Sequence, residues 1–365
     1  MILDVKKVVV KYNDKVVGYL AEIEPSVIGF QYDEQWLKNG FSISPFSLPL
    51  NNKVFISEKN LFSGLFGVFW DSLPDGWGEL LMNRVLNKKG INPNKISILT
   101  KLSLVNKNGL GGLSYEPNQP FDYEYGGFDF DTLYQEIDKV LNNKNDSIDL
   151  DLIYQLGGSS GGARPKAHVK IDNEDWIVKF GCRIDPINVG EKEYIANETA
   201  KKCGIAVNEY NLFSSKLCSG YFGVKRFDRE KDKRIHMISL AALLETTHKV
   251  PNLDYIHLFQ VIQSISARPT EDLYEAFRRM CFNVFYKNRD DHSKNFAFLY
   301  NEKLKGYVLS PAYDLTKTEE KFEHEMTVNG NGNPTKEDLL AVAKEFKLSL
   351  VKCKAIIDLI EKETL

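Results

Sequence analysis

Residues 287–296 read KNRDDHSKNF and place six charged or titratable side chains within ten residues. They follow an apolar run that contains Met280, Val284 and Phe285. Burying a charge is unfavourable by roughly several kcal/mol unless the charge is paired or holds a metal ion. We therefore expect this stretch to form a loop at the end of a core helix, a position from which a rigid scaffold presents reactive side chains.

Asp290 and Asn295 lie five positions apart in this loop. Kinase catalytic loops use the same D-x-x-x-x-N spacing, in which the Asp accepts the proton of the attacking hydroxyl and the Asn ligates a magnesium ion. The spacing alone is a weak signal, because Asp and Asn recur at it by chance. A solvated loop at a helix exit is the alternative interpretation.

A second acidic group follows in GYVLSPAYDLTK, which begins at Gly306. The run from Tyr307 to Leu309 predicts a strand, and Asp314 stands shortly after its end. A carboxylate delivered by a strand end, close to an Asp/Asn loop, suits the second ligand of a metal ion that bridges ATP phosphates. The alternative is a turn aspartate that caps the following segment.

A glycine-rich loop precedes these motifs as GGSSGGARPK, residues 157–166. Its glycines would let backbone N–H groups approach an anion, and Arg164 and Lys166 add positive charge. The loop matches neither the Walker A motif nor the G-x-G-x-x-G of ordinary protein kinases. Taken alone, it is equally typical of a flexible turn.

Lys179 lies in the predicted strand DWIVKF. A lysine in such a strand either faces water or points at a phosphate group, as the strand lysine of kinases does. On the following helix Glu191, Glu193 and Glu198 are each candidate partners for it, and the sequence leaves that choice open.

The composition of the chain bears on disorder, nucleic-acid binding, disulfide bonds and localisation. The 365-residue chain is 43% hydrophobic and 27% charged, which argues against wholesale disorder. Its formal charge of −3 argues against a chain that binds nucleic acid without a partner. The five cysteines include no C-x-x-C pair, so we expect them to be reduced and structural. Without a membrane-length apolar run or a signal-peptide pattern, we expect a cytoplasmic protein with no membrane partner.

Local patterns predict the organisation of the chain. Alternating apolar residues around Asn13 and Asp14 predict a β-hairpin, and residues 60–86 predict two helices separated by a Pro-Asp-Gly turn. We expect that turn to be a structural lock between subdomains. The polar stretch 142–149 is the best linker candidate. After it the pattern indicates a small mixed sheet crossed by a helix near residues 191–202, followed by mostly helical periodicity.

Together the motifs GGSSGGARPKA, NRDDHSKN and SPAYDL, in this order, resemble the HipA family of toxin serine/threonine kinases. The stretches FWDSLPDGWGELLMNR and GLGGLSYEP extend the resemblance over most of residues 1–320. It implies an α+β, bilobal, protein-kinase-like fold. A mixed β-sheet N-terminal lobe at 146–228 would carry an accessory N-terminal subdomain at 1–145, and a mostly helical C-terminal lobe would occupy 229–365.

The resemblance also implies roles for individual residues. Asp290 would be the catalytic base, Asn295 and Asp314 the Mg²⁺ ligands, and Lys179 the phosphate-binding lysine. Residues 225–228 would form the hinge beside the adenine, with Asp228 reaching the ribose. The implied ATP-binding residues are Gly161, Gly162, Ala163, Arg164, Lys166, Lys179, Lys225, Arg226, Phe227, Asp228, His292, Lys294 and Tyr313.

Regulation and partners are implied in the same way. Family members autophosphorylate a serine of the Gly/Ser loop, here Ser159 with Ser160 as the alternative, and we expect the added charge to expel the loop and switch the kinase off. The implied target is an aminoacyl-tRNA synthetase such as glutamyl-tRNA synthetase. A small DNA-binding antitoxin would be the partner, and DNA would be contacted mainly through it. A non-catalytic pseudokinase-like corepressor and a small-molecule kinase are the competing interpretations.

Overall fold

The structure is a computed structural model that describes residues 2–58, 60–105, 109–119, 129–142 and 150–365. The chain divides into two compact units. The first comprises Met1–Glu191, Asn211–Ile238 and Ala242–Glu245, and the second comprises Lys192–Tyr210, Ser239–Ala241 and Thr246–Leu365. The predicted boundaries near 145 and 228 stay predictions, and all of the predicted linker except Asn142 lies outside the described residues.

The first unit opens with a five-stranded antiparallel sheet in the order β4-β3-β2-β1-β5. The predicted hairpin is confirmed as β1 and β2, with Asn13 and Asp14 at φ values of 45° and 66°. A tight hairpin turn requires such positive φ values, which Asn and Asp tolerate better than most residues. The strands are β1 (Lys7–Tyr12), β2 (Lys15–Glu24), β3 (Val27–Tyr32), β4 (Phe55–Ile56) and β5 (Leu113–Glu116).

Helices accompany this sheet, and the Pro-Asp-Gly turn separates two of them as predicted. Asp75 precedes the longer one, and Gly76 adopts a φ of +44°, a conformation that favours glycine. The helices are α1 (Glu34–Asn39), α2 (Gly67–Trp70), α3 (Gly76–Lys88), α4 (Ile98–Ser103), α5 (Phe130–Leu141) and α6 (Leu150–Gly157), with 3₁₀ turns at Phe62–Gly64 and Pro93–Lys95.

A second, four-stranded sheet has the order β6-β7-β9-β8. Its strands are β6 (Lys166–Ile171), β7 (Glu174–Lys179), β8 (Tyr210–Phe213) and β9 (Tyr221–Lys225). The β6–β7 and β7–β9 pairings are both antiparallel. Trp176, Val178 and Tyr221 of the sheet pack in one core with Trp77 of α3 and Tyr154 of α6.

One long helix lies between β7 and β8 along the chain, and several short elements follow β9. The helix α7 (Val189–Lys202) confirms the helix expected near residues 191–202. The other elements are β10 (Arg229–Glu230), β11 (Lys233–Arg234), β12 (Met237–Ser239) and α8 (Leu240–Leu243).

The second unit is mostly helical, as expected. Its central helix α10 packs against α9 and α12 and ends at Lys287, which caps it in the left-handed conformation with a φ of 60°. The elements are β13 (Leu253–Asp254), α9 (Tyr255–Ile265), α10 (Pro269–Tyr286), β14 (Ala297–Asn301), β15 (Gly306–Leu309), β16 (Met326–Thr327), α11 (Lys336–Glu345) and α12 (Leu350–Thr364). No helix in the described part of the chain has both the length and the apolar character needed to cross a bilayer.

Candidate active site

The loop after α10 is fastened to that helix by asparagines. Asn288 donates from its backbone N–H to the Asn283 carbonyl and from its side-chain amide to Asn283 Oδ1, both at 2.9 Å. Asn283 in turn donates to the Tyr255 hydroxyl at 2.8 Å. The charged stretch therefore leaves the helix in a fixed direction, as expected for a loop that positions reactive groups.

Asp290 presents a carboxylate that is 41% exposed and bonded to a lysine. Lys321 Nζ lies 2.5 Å from Asp290 Oδ1 and also donates to Glu325 Oε1 at 2.8 Å. Burial lowers the pKa of Lys321, but its hydrogen bonds to the two carboxylates outweigh that effect and raise the pKa above its ordinary value. Lys321 therefore remains a cation beside Asp290.

Asp291, the next residue, is 1% exposed and has a different environment. Its Oδ2 accepts from the Tyr255 hydroxyl at 2.8 Å and from His324 Nδ1 at 2.9 Å, and its Oδ1 accepts the Glu325 N–H at 3.0 Å. Burial, followed by the Asp291 charge, raises the pKa of Tyr255 well above its ordinary value, so Tyr255 stays a donor. Asp291 thus joins the loop to the segment around residue 324.

Asn295 and Asp314 flank the same end of the β14–β15 hairpin. The two strands are antiparallel with Phe298 opposite Leu309, so the residues before β14 and those after β15 meet at one edge. The Tyr313 hydroxyl donates to the Lys294 carbonyl at 2.7 Å, which joins the residues adjacent to Asn295 and Asp314. Asp314 adopts the left-handed conformation with a φ of 53°, which Asp tolerates better than most residues.

This end of the hairpin fits a magnesium ion that shares its coordination with phosphates. Asn295 Nδ2 donates to the Asp290 carbonyl at 2.7 Å, so the amide oxygen is the atom left for a cation. Amide and carboxylate oxygens suit Mg²⁺, which is usually held by one or two protein ligands together with substrate phosphates. The described residues contain no cluster of three or more His, Cys, Asp or Glu side chains that would hold a metal unaided.

His292 adds a second indication of a ligand. Its Nδ1 is buried and has no hydrogen-bond partner among the described residues. A buried polar atom without a partner is unfavourable by about 1–3 kcal/mol, so such an atom in a native site calls for a partner from outside. His292 was predicted from the family resemblance to line the nucleotide site, and that role stays a prediction.

The Gly/Ser loop is held by the Pro-Asp-Gly turn before α3. Gly162 donates its N–H to Asp75 Oδ1 and accepts the Trp77 N–H at 3.0 Å. Ser159 and Ser160 are 4% and 0% exposed, and Ser160 Oγ donates to the Gly157 carbonyl at 2.5 Å. The turn predicted to be a structural lock therefore contacts this loop.

The basic residues of the first unit are placed differently from one another. Arg164 is exposed and pairs with Asp185 at 2.9 Å, whereas Lys166 is half-buried in β6. Of the loop residues before them, Gly161 is half-buried, and Gly162 and Ala163 are exposed. Lys179 ends β7, where its ammonium lies 5.7 Å from the ring centroid of Phe222. It lines a cavity of about 50 Å³ with neighbours that include Tyr134, Asp185 and Cys218.

The acidic partner of Lys179 stays a prediction. Among the three candidates on α7, Glu198 accepts the Tyr210 hydroxyl at 2.5 Å and Glu193 is buried at 6% exposure.

The predicted hinge contains a buried ion cluster. Asp228 is 3% exposed and accepts from Arg226 Nε at 2.8 Å, from the Gly111 N–H at 2.7 Å and from Arg229 Nη1 at 3.0 Å. Burial raises the pKa of Asp228, but Arg226 and Arg229 outweigh it and hold the pKa below its usual range. Asp228 therefore anchors residues 109–111.

The other hinge residues lie closer to the surface. Lys225 pairs with Glu174 at 3.2 Å, and Phe227 is half-buried. The roles of residues 225–228 beside the adenine and of Asp228 at the ribose stay predictions.

We expect Asp228→Asn to reduce the free energy of unfolding at neutral pH by about 3–5 kcal/mol, because two guanidinium groups would remain buried without their carboxylate. A carboxyl whose folded pKa is depressed contributes stability above its unfolded pKa, here near 3.8, and loses it as the pH falls further. In urea unfolding, the stability difference between the wild type and Asp228→Asn should therefore stay constant from pH 7 to about pH 4 and begin to narrow only below that. Asp232→Asn, at an exposed position of the same segment, is the control. Equal stability of Asp228→Asn and Asp232→Asn would contradict the prediction.

Two features of the candidate site have no sequence motif. Lys321 and His324 belong to KTEEKFEHE, which resembles an ordinary solvated segment. The adjacent acids Asp290 and Asp291 look equivalent in the sequence, although one is accessible and the other is buried. Only a charged segment directly after a candidate metal ligand could have drawn attention to Lys321.

Two family models match the chain. One, described as the HipA-like C-terminal domain, matches residues 158–364, and the other, described as the HipA N-terminal domain, matches residues 8–116. The structure is similar to that of HipA in the HipA, HipB and operator DNA complex of Shewanella oneidensis MR-1. The TM-score is 0.74 at 17% identity, over 98% of this chain and 88% of that one. This likeness concerns the fold alone and confirms the predicted α+β, kinase-like architecture.

The chain also matches two curated relatives from Sinorhizobium fredii (strain NBRC 101917 / NGR234). It is 30% identical over 193 residues to "Putative kinase Y4dM", covering 49% of this chain and 46% of that protein. It is 30% identical over 105 residues to "Putative kinase Y4mE", covering 26% and 24% respectively. The chain thus spans about half the length of the first relative and a quarter of the second. Because the C-terminal family model alone covers more than half of the chain, this protein belongs to the HipA family.

Proposed function

We propose that the chain is an ATP- and Mg²⁺-dependent kinase that phosphorylates a serine or threonine of another protein. The observation that carries the proposal is the arrangement around the hairpin end. An accessible carboxylate at Asp290 stands beside an asparagine whose amide nitrogen is already engaged, and Asp314 follows on the adjoining strand end. Phosphoryl transfer requires these groups, a base near the attacking hydroxyl and oxygen ligands for the metal.

Each residue has a defined task in this proposal. Asp290 orients the attacking hydroxyl and accepts its proton, while Asn295 and Asp314 hold Mg²⁺, which neutralises phosphate charge when it is bound. Lys179 binds phosphate oxygens, and Gly161, Gly162 and Ala163 cover the nucleotide.

Family membership supports further proposals about partners. The target would be an aminoacyl-tRNA synthetase such as glutamyl-tRNA synthetase, and the reaction would take place in the cytoplasm. A small DNA-binding antitoxin would bind the chain and provide most of the DNA contact. Support comes from the similar HipA structure, which was solved with HipB and operator DNA.

Incubation of the protein with γ-labelled ATP, Mg²⁺ and a cell extract tests the proposed function. We expect label in one or a few proteins, and no label when EDTA replaces Mg²⁺. Label confined to small molecules would identify a small-molecule kinase instead. The absence of any transfer, in a protein that still folds, would favour the corepressor interpretation.

We expect Ser159→Ala to remove most of the phosphate that the protein incorporates into itself. Ser159 is buried, so a phosphate carrying about −1.5 to −2 charges does not fit its described position, and modification would displace the loop from Asp75. Mass spectrometry should locate the phosphate, and limited proteolysis should show cleavage near residues 157–165 only after modification. The matched variant Ser160→Ala tests the alternative serine. If Ser159→Ala is phosphorylated to the same extent and inactivated on the same schedule, the assignment is wrong.

A further inference from the structure

A lysine that no motif identifies is bonded to the proposed catalytic base. Lys321 Nζ lies 2.5 Å from Asp290 Oδ1, and the two side chains are 33% and 41% exposed. The same ammonium donates at 2.8 Å to Oε1 of Glu325, four residues further along the chain. Two carboxylates therefore hold the ammonium between them.

The segment that carries Lys321 is attached to the catalytic loop on the side before Lys321. The Thr318 N–H donates to the Lys287 carbonyl at 3.0 Å, and the Arg289 N–H donates to Thr318 Oγ1 at 2.7 Å. The Arg289 guanidinium donates to the carbonyl of Lys321 itself.

A second attachment follows Lys321. The His324 side chain and the Glu325 N–H both donate to the buried Asp291. Because the backbone is fixed before and after residue 321, the ammonium is presented to Asp290 by a preorganised segment. A surface ion pair between two mobile side chains would lack this support.

We infer that Lys321 is the positioning residue of Asp290 in phosphoryl transfer, an inference that rests on the proposed function. By holding Oδ1, the ammonium leaves Oδ2 directed at the substrate hydroxyl. The hydroxyl oxygen then forms a bond to the γ-phosphorus and its proton passes to Asp290. The bond between that phosphorus and the bridging oxygen breaks, and ADP leaves with the electron pair. If Lys321 instead blocked Asp290 from the substrate, replacing the lysine would raise the rate of phosphoryl transfer.

Two substitutions and a matched control distinguish a positioning role of Lys321 from a blocking role. The substitutions are Lys321→Met and Lys321→Arg. Lys317→Met is the control because Lys317 lies on the same segment, is 47% exposed and pairs with Glu319 rather than with Asp290. We expect Lys321→Met to lower kcat by about 10²-fold while KM for ATP changes by less than about threefold, since misplacing a reacting group affects the chemical step. Lys321→Arg should recover most of the rate, and Lys317→Met should resemble the wild type.

The ion pair also has a readout that needs no nucleotide. Competitive acylation with trace acetic anhydride, followed by mass spectrometry, compares the reactivity of Lys321 with that of Lys317 in one sample. The paired ammonium should react several-fold more slowly than Lys317 in the wild type, and Asp290→Asn should increase its rate several-fold. Thermal melting of each variant controls for folding.

The outcomes are distinct. If the wild type transfers phosphate and Lys321→Met is as active or more active, the inference is overturned while the proposed function stands. An acylation rate of Lys321 that does not respond to Asp290→Asn also overturns it, because the pair would then be absent in solution. A folded wild type that shows no Mg²⁺-dependent transfer contradicts the proposed function, and the inference falls with it.

Discussion

Asp290→Asn is expected to slow phosphoryl transfer by about 10²–10⁴-fold, the range associated with loss of a general base. The amide has the size of the carboxylate but cannot accept the proton of the substrate hydroxyl. Because the Asp290 side chain is 41% exposed, its replacement should leave the fold intact. Transfer from γ-labelled ATP under single-turnover conditions measures the effect directly.

Two controls make this result interpretable. The midpoint of urea unfolding should stay close to that of the wild type, and Mg²⁺–ATP should still bind, since Asn295 and Asp314 are retained. A loss smaller than about tenfold would assign Asp290 to structure rather than to proton transfer.

Asp291→Ala is expected to reduce the free energy of unfolding by about 3–5 kcal/mol, the usual effect of removing one partner of a buried charged network. The Tyr255 hydroxyl, His324 Nδ1 and the Glu325 N–H would all lose their acceptor in a site that is 1% exposed. Urea or thermal unfolding followed by circular dichroism measures the change. Transfer activity should fall as well, because the segment that carries Lys321 loses one of its attachments.

The contrast between the two adjacent acids provides the decisive comparison. Asp291→Asn keeps the volume of the side chain and should recover part of the stability lost in Asp291→Ala. Asp290→Ala should unfold close to the wild type. If the two alanine variants have equal stability, the buried network does not support the loop in the way the structure indicates.

Local patterns predicted most of the elements because they depend on neighbours in the chain. The β1–β2 hairpin, the Pro-Asp-Gly turn and the long helix α10 agree with the structure. Periodicity and turn chemistry act over a few residues, so a single sequence suffices to read them. Strand pairing is a long-range property, so the order β6-β7-β9-β8 of the second sheet could not be derived from neighbouring residues.

Residues of the candidate site could be predicted only where they belong to a motif with a fixed separation between its residues. Asp290, Asn295 and Asp314 could be proposed because kinase chemistry uses those groups at recognisable intervals. Lys321 lies 31 positions from Asp290, and nothing in its local sequence distinguishes it from the other exposed lysines. The network of Asp291 was missed for the same reason, since its partners come from residues 255 and 324–325.

The sequence by itself determined the family, the positions of the charged motifs and the residue types available for metal and proton chemistry. Tertiary structure alone decided which of two neighbouring aspartates is accessible, which lysine contacts it, and that Asp75 holds the Gly/Ser loop. The physical reason is that burial and ion pairing arise where distant segments pack together. Side chains with the same formal charge then differ in exposure, partners and protonation, and these differences decide which group can react.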